Sequence, residues 1–289
     1  AANRIAEAKS VLRLAEVEVE DAERIATGVP ELDRVLGGGL VPASLVLVGG
    51  EPGVGKSTLL LMALAAISRD RRALLVTGEE SAAQVKLRAA RLGGAEKVEI
   101  LAETNLETVC ATLERERPEV CVIDSVQTLY SAEVGSAPGS VSQVREAAAR
   151  LLRVGKESGV ALFLVGHVTK DGSVAGPRVL EHLVDCVLQF EGDRYHAHRV
   201  LRAAKNRFGS TNELGVFEMT GTGLQGVPDP SAVFGQSDGE VGAAVACALE
   251  GTRPLLLEIQ ALVSQTDLAM PRRVGTGVDP KRLAMIVAV

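Results

Sequence analysis

The sequence predicts an α/β fold in which a mainly parallel sheet carries helices on both faces. Between residues 25 and about 225, apolar runs of strand length alternate with segments of helical length, as in strands joined by crossover helices. Residues 50–57 read GEPGVGKS and fit the phosphate-binding pattern G-x-x-x-x-G-K-[ST]. The chain of 289 residues is 46% hydrophobic but only 2% aromatic, so its core must be large and aliphatic.

The predicted elements follow one another with recognisable starts and stops. Pro30 suits the start of a short helix over residues 31–36, and the glycines at 37–39 end it. Residues 131–142 are rich in Gly, Ser, Ala and Pro, which predicts a long mobile loop. The other predicted helices cover residues 58–67, 82–92, 106–117, 144–157 and 179–186. The predicted strands cover residues 44–48, 73–77, 98–101, 120–125, 160–165, 187–190, 195–203 and 214–219.

The glycine-rich segment between the first strand and the helix that follows it predicts a nucleotide site. Its glycines permit backbone conformations that aim several N–H groups at one anion, and the positive end of the helix adds to this. Lys56 is expected to contact the β and γ phosphates of ATP or ADP, and the Ser57 hydroxyl to bind Mg²⁺. A glycine-rich turn that contains Lys-Ser by chance is the alternative, and the flanking strand and helix argue against it. The residues predicted to surround the phosphates are Gly50, Glu51, Pro52, Gly53, Val54, Gly55, Lys56, Ser57 and Thr58.

Acidic residues follow two of the predicted strands. Glu79 and Glu80 come after strand 73–77, where a base that orients water would stand. The alternative is that both are first-turn charges that favour the helix dipole, and we prefer Glu79 as the functional one. Asp124 ends an apolar run of strand length, the Walker B pattern that supports Mg²⁺.

Charge and cysteine content restrict the class of protein. A net charge of −6 argues against a wholly basic nucleic-acid-coating surface, although a local basic channel is compatible with it. No apolar run is long enough for a membrane helix and no signal peptide opens the chain, so we expect a cytoplasmic protein with no membrane partner. The cysteines are far apart and form no C-x-x-C pair, so we expect reduced core residues rather than a metal site: Cys110, Cys121, Cys186 and Cys247.

The two ends of the chain predict additional modules. Residues 1–24 form an N-terminal extension that begins without a Met, and residues 226–235 contain the linker sequence Gly-Val-Pro-Asp-Pro. Residues 236–289 suggest a further α/β unit that stops in mid-pattern, because the apolar end at 286–289 lacks partner elements. We therefore expect a truncated second domain.

Four segments together resemble the bacterial RadA (Sms) recombination and repair family within the RecA-like ATPases. They are residues 36–60 (LGGGLVPASLVLVGGEPGVGKSTLL), 77–81 (TGEES), 167–185 (HVTKDGSVAGPRVLEHLVD) and 205–209 (KNRFG). The last two segments are far more specific than a Walker motif. The resemblance spans about residues 24–289.

The resemblance implies three modules: a four-cysteine zinc finger, a RecA-like P-loop ATPase core and a Lon protease-like domain. The core would cover residues 25–225 and part of the Lon-like domain residues 236–289, whereas the zinc finger and its zinc would be missing from this chain. Ala43 stands where the family more usually has glycine, a change that we expect to be harmless.

The resemblance also implies an ATP-driven motor. It would be a hexameric ring that loads on single-stranded DNA and drives branch migration of branched recombination intermediates, possible partners including the RecA recombinase. By similarity, Lys56 and Ser57 hold phosphate and Mg²⁺, Asp124 supports the metal, and Glu79 polarises the attacking water. His167 would sense the γ-phosphate and couple it to the DNA-contacting loop that follows.

Lys205 and Arg207 are candidates for contacts between subunits. Two residues apart on a strand, their side chains project to the same face, where they could reach the γ-phosphate of a neighbouring subunit. Hydrolysis would then depend on assembly. The alternative is that both are ordinary surface charges at a strand edge.

DNA contact is expected from the loops at residues 131–145 and 168–178. Neither loop contains an aromatic residue, so Arg145, Lys170 and Arg178 would grip phosphates rather than stack on bases. Binding should be independent of sequence and strongly salt-dependent.

Other functions are also compatible with the sequence. A RecA-fold ATPase that acts on protein partners would show ATP turnover indifferent to DNA, and a nucleotide-dependent scaffold would show no turnover. A small-molecule P-loop kinase is least favoured, because the sequence has no obvious lid or acceptor site.

Overall fold

The computed structural model describes residues 23–167, 178–192, 197–231, 241–265, 267 and 272–288. Its strands are β1 (Leu45–Gly50), β2 (Ala73–Thr77), β3 (Glu99–Ala102), β4 (Val120–Asp124), β5 (Ala161–His167), β6 (Cys186–Gly192), β7 (His198–Asn206), β8 (Leu214–Thr220), β9 (Gly223–Gly226), β10 (Ala243–Glu250) and β11 (Arg253–Gln260). Its helices are α1 (Pro30–Leu36), α2 (Lys56–Ile67), α3 (Ala82–Leu92), α4 (Leu106–Glu116), α5 (Val141–Ser158), α6 (Arg178–Leu183) and α7 (Pro280–Ala288).

One nine-stranded sheet, in the order β3-β2-β4-β5-β1-β6-β7-β8-β9, forms the centre of the molecule. The strands from β3 to β6 pair in parallel, and β7, β8 and β9 extend the sheet as antiparallel strands. Strands β1, β2 and β4 are buried along their whole length, as expected for the middle of a parallel sheet. The predicted α/β fold with a mainly parallel sheet is therefore confirmed.

Aliphatic cores lie on both faces of the sheet. On one face, α1 and α2 pack with Val85 of α3 against side chains such as Val46, Val48 and Phe163. On the other face, α4, α5 and α6 pack against their strand neighbours, including Leu45 and Leu47. Alternate residues of β1 thus enter opposite cores, which places helices on both sides.

Several element boundaries differ from the sequence-based prediction. Helix α5 begins at Val141 rather than at residue 144, because Ser140 accepts a hydrogen bond from the backbone N–H of Gln143 and caps the helix. Helix α6 ends at Leu183, and Cys186 opens β6 instead of closing the helix. Strand β7 runs from His198 to Asn206, later than predicted, and β9 was not predicted.

The loop before α5 is organised by one buried side chain. Gln143 donates from Nε2 to the carbonyl oxygens of Ser131, Val134 and Ser136, and its Oε1 accepts from the Ser131 N–H. The side chain is 2% exposed. The prediction that this stretch is simply a long mobile loop missed this anchor, which is encoded by a helical residue outside the loop.

Ala43 adopts a left-handed conformation, with φ of 58°. A Cβ in this region contacts the following carbonyl and costs about 1–2 kcal/mol, whereas glycine meets no such penalty. The expectation that alanine is harmless here is wrong in this energetic sense, and the strain explains why glycine suits the turn before β1.

A hairpin of β10 and β11 packs against the antiparallel side of the core. Leu255 lies in a small apolar cluster with Leu214 and Val216 of β8. Beside it, Arg253 forms a bidentate ion pair with Glu31 of α1, with both N–O distances 2.8 Å and side chains 7% and 6% exposed. This Glu31–Arg253 clamp joins the first helix of the core to the segment predicted as a second domain, and the Lon-like assignment of that segment stays a prediction.

Two further findings concern the cysteines and the length of the helices. Cys121 and Cys186 are buried, as expected, but Cys247 lies exposed on β10, so the prediction that all four cysteines are core residues is wrong. No helix in the described part of the chain is long and apolar enough to cross a membrane.

Candidate active site

Four of the predicted catalytic residues meet where four neighbouring parallel strands end. Lys56 follows the loop after β1, Glu79 follows β2, Asp124 ends β4 and His167 ends β5. The order β2-β4-β5-β1 makes these strands adjacent in the sheet. Residues far apart in sequence therefore form one crevice at the carboxyl edge, the usual ligand position in open α/β sheets.

The loop after β1 is shaped for an anion. Gly53 and Gly55 have φ of 82° and 114°, and no atom lies within 4 Å of a Cβ placed on Gly53. Lys56 donates from Nζ to the carbonyl oxygens of Gly50 at 2.7 Å and Glu51 at 2.9 Å, so its ammonium is held against the loop. Burial lowers the pKa of Lys56, and the carboxylates of the site partly offset that change.

Asp124 and Ser57 form the predicted metal-binding pair. Asp124 is 7% exposed, and a side-chain hydrogen bond links it to Ser57. Burial raises the pKa of Asp124, while the bond from Ser57 and the charge of Arg88 act in the opposite direction. A hydroxyl and a carboxylate at this spacing supply the oxygen ligands that Mg²⁺ prefers, so these residues fit the ion.

Glu79 is held by two neighbours through one oxygen. Ser125 Oγ donates to Glu79 Oε1 at 2.6 Å, and His167 Nε2 lies 3.0 Å from the same atom. Since the carboxylate accepts, the imidazole proton must be on Nε2. Partial burial raises the pKa of Glu79, but the bonds from Ser125 and His167 and the charge of Lys56 together lower it below its usual value. Glu79 is thus kept ionised, with Oε2 available to a water molecule.

Replacing Glu79 with glutamine is expected to lower ATP turnover about a hundredfold, because a general base contributes about that much or more. The amide keeps the size of the side chain but cannot take a proton from water. Turnover and binding of a fluorescent ATP analogue are to be measured together, and binding should be retained. Glu80→Gln is the matched control, because Glu80 is instead paired to Arg88 at 2.8 Å. A larger loss in Glu80→Gln than in Glu79→Gln would reverse the assignment.

Sequence reasoning missed three side chains around this crevice, and two of them act on its carboxylates. Ser125 directly follows Asp124, and its position at a strand end could have indicated a role. Arg88 contacts Glu80 and lies 4.0 Å from Asp124, but its place in the middle of α3 gave no indication. Both side chains therefore contact acidic residues that follow or end the strands of this crevice.

The third side chain that sequence reasoning missed is Arg199 of β7, which contacts the backbone of the phosphate loop. Its Nε donates to the carbonyl oxygen of Val54 at 3.3 Å, and its side chain is 8% exposed. It pairs with Gly192, where an added Cβ would lie 2.1 Å from Arg199 Cδ. The absence of a side chain at Gly192 therefore leaves space for the Arg199 side chain. This steric requirement becomes visible only once the register of β6 and β7 is known.

Lys205 and Arg207 lie far from the phosphate loop of their own chain. Lys205 is level with Val187 and, through β6, with Leu47 near the start of β1. At about 3.3 Å per residue, this places the pair roughly 10–20 Å from Gly50. Arg207 follows the end of β7, so the prediction that both residues lie on a strand is wrong for Arg207.

Both cations have partners at the junction of α6 and β6. Lys205 Nζ donates to the carbonyl oxygens of Glu181 and Val184, at 2.5 and 2.7 Å. Arg207 pairs with the buried carboxylate of Asp185 at 3.0 Å, while its own side chain is 47% exposed. The guanidinium is therefore fixed in direction but accessible from outside.

The three residues predicted to contact DNA have different outcomes. Arg145 lies on the exposed side of α5. It is beside Ser142 of the same helix and Val134 of the preceding loop. It forms no ion pair within the described residues. Lys170 and the side chain of Arg178 lie outside the part of the chain that is described.

Both a domain family model and curated proteins match this chain. A family model described as "AAA domain" matches residues 9–173. The DNA repair protein RadA of Pseudomonas aeruginosa is 56% identical over 279 residues, which cover 96% of this chain and 62% of the relative. RadA of Streptococcus pneumoniae is 52% identical over 281 residues, covering 96% and 67%. RadA of Escherichia coli is 52% identical over 282 residues, covering 96% and 61%.

A solved structure supports the fold. The KaiC-like protein PH0186 from Pyrococcus horikoshii superimposes with a TM-score of 0.59 at 20% identity, covering 72% of this chain and 100% of that one. The chain spans about three fifths of the length of the first curated relatives it matches, with 62% and 61% as examples.

Proposed function

Because this chain belongs to the RadA family of DNA repair proteins, we propose that it hydrolyses ATP to drive movement on DNA as a ring of identical subunits. The observation that carries the proposal is the position of Lys205 and Arg207 at the sheet edge opposite the phosphate loop. From there they can serve only a nucleotide bound by another subunit. Arginine fingers supplied from a neighbour act in this way on a transferring phosphoryl group.

The residues of the crevice have separate roles in the proposed reaction. The loop N–H groups and Lys56 would hold the phosphates of ATP, and Ser57 with Asp124 would hold Mg²⁺. The ion, when bound, neutralises charge on the β and γ phosphates. Glu79 orients water through Oε2, while Ser125 and His167 fix its carboxylate in place. His167, the last residue of β5, is the proposed link between Glu79 and the DNA-contacting loop predicted at residues 168–178.

The substrate side of the proposal is DNA. The curated relatives carry the name DNA repair protein, and we propose that this chain likewise works on single-stranded and branched DNA in the cytoplasm. Branch migration by a hexamer, with the RecA recombinase as a partner, is the specific activity proposed. Arg145, exposed beside the loop that Gln143 organises, is placed to contact DNA phosphates.

ATP hydrolysis with and without single-stranded DNA tests the proposal on the whole chain at several protein concentrations. We expect DNA to raise turnover, and the specific activity to rise with protein concentration, because each site is completed by a neighbour. DNA affinity should fall steeply as salt rises, since phosphate contacts release counterions. ATP turnover that changes neither with added DNA nor with protein concentration would overturn the proposal in favour of an ATPase that acts on proteins.

A further inference from the structure

Arg24 holds together three segments that are distant in sequence. Its Nη1 donates to the carbonyl oxygens of Leu36 at 3.1 Å and Gly39 at 3.2 Å. Its Nη2 donates to the carbonyl oxygen of Phe208 at 2.5 Å, across 184 residues of sequence. One guanidinium therefore joins the end of α1, the glycine turn after it and the residue next to Arg207.

A second contact secures the same place from the other side. Asn206 Nδ2 donates to the carbonyl oxygens of Val35 and Leu36 at 3.5 and 3.4 Å, and its Oδ1 accepts from the Phe208 N–H at 3.0 Å. Gly209 packs so closely that an added Cβ would lie 3.0 Å from Asn206 Nδ2. The segment 206–209 is thus fixed on the carbonyl end of α1, where unpaired oxygens need donors.

We infer that Arg24 is a positioning residue for Arg207, a role that rests on the proposed function of Arg207 as a finger toward a neighbouring subunit. Asp185 holds both the backbone and the side chain of Arg207. The Arg207 N–H donates to the backbone carbonyl oxygen of Asp185 at 3.0 Å, and the guanidinium pairs with the Asp185 carboxylate. Beyond it, Phe208 is 42% exposed, and two hydrogen bonds hold its backbone. Arg24 donates to the Phe208 carbonyl oxygen and Asn206 Oδ1 accepts from the Phe208 N–H, so the bond from Arg24 helps to fix the direction of the Arg207 guanidinium.

Mixing of subunits tests the inference. A Lys56→Ala chain cannot hydrolyse ATP but offers normal fingers, whereas an Arg207→Ala chain has a normal phosphate loop and no finger. We expect Arg24→Ala to lose about tenfold in DNA-stimulated kcat with an unchanged KM for ATP, because a displaced catalytic group costs about that much or more. Mixed with Lys56→Ala it should regain activity, and mixed with Arg207→Ala it should not.

Controls separate this role from loss of folding. Arg115→Ala removes an arginine of α4 that is 76% exposed and, among the described residues, forms an ion pair only with its neighbour Glu116, so it should leave turnover unchanged. Arg24→Lys keeps the charge but loses the fork that reaches several carbonyls, so we expect an intermediate kcat. The thermal midpoint of each variant is to be measured alongside.

Turnover of the Arg24 and Arg207 variants distinguishes the positioning role from the proposed function. Wild-type turnover in Arg24→Ala beside an inactive Arg207→Ala overturns the positioning role and leaves the proposed function standing. Loss in Arg24→Ala that Lys56→Ala does not rescue also overturns it, because Arg24 would then support its own nucleotide site or the fold. Full activity in Arg207→Ala overturns the finger and the positioning role together.

Discussion

Replacing Arg207 with alanine is expected to lower DNA-stimulated ATP turnover about a thousandfold while ATP binding stays intact, in line with the effect of arginine fingers. The physical reason is distance. Arg207 lies beyond the end of β7, at the edge opposite the phosphate loop, so in the proposed ring its charge would stabilise the transition state in an adjacent subunit. Loss of the side chain leaves each chain's own phosphate loop unaltered.

Steady-state kinetics, with ATP binding measured separately, checks this expectation. Arg202→Ala is the matched control, because Arg202 lies on the same strand but pairs at the surface with Glu250 at 2.9 Å. Removing Arg207 takes the ion-pair partner from the buried Asp185, which keeps a hydrogen bond from the Leu45 N–H at 3.0 Å, so the free energy of unfolding of Arg207→Ala is to be measured as well. Equal turnover in wild type and Arg207→Ala would refute the trans contact.

Replacing Glu31 with alanine is expected to lower the free energy of unfolding by about 3–5 kcal/mol, the range for breaking a buried ion pair. The change leaves the guanidinium of Arg253 buried with only carbonyl oxygens, those of Leu214 and Pro228, at 3.4 Å. It also removes the acceptor of the Val216 N–H, which bonds Glu31 Oε2 at 2.9 Å. Arg253→Ala should lower the free energy of unfolding by a similar amount, because it leaves the Glu31 carboxylate buried without its ion-pair partner.

Urea unfolding of Glu31→Ala, of Arg253→Ala and of the Glu31→Ala, Arg253→Ala double variant measures how much the Glu31–Arg253 clamp contributes to stability. The double variant should lose less free energy of unfolding than the sum of the two single variants. Replacing both charged groups by apolar ones leaves no buried charge without a partner. Strict additivity would show that the two side chains do not act as a pair. Arg202→Ala again serves as a surface control, with an effect below about 1 kcal/mol.

Local patterns were enough to predict the fold and much of the crevice. Strand β2 and helix α3 have the predicted bounds, because apolar alternation, Ser81 and the capping box with Gln84 act over a few residues. Lys56, Glu79 and Asp124 could be found because each lies at or shortly after the end of a predicted strand, and parallel strands end at one edge of a sheet.

Contacts across the sheet could not be predicted in this way. The bond from Arg199 to Val54 spans 145 residues, and the Glu31–Arg253 pair spans 222. Both depend on the pairing of the antiparallel strands, where the predicted boundary of β7 was too early. Arg207 was assigned to a strand from its spacing to Lys205, and the register with β6 shows that it lies beyond the end of β7.

Strand β7 has a consequence for how the ring as a whole would operate. Arg199 near its start contacts the phosphate loop of its own chain, and the side chain of Arg207, just past its end, is exposed. In the proposed ring, a single extended strand would then connect one ATP site to the residue that serves the following site. Turnover in such a ring is expected to pass around the circle from subunit to subunit, because a strand that shifts at one end moves the group presented at the other.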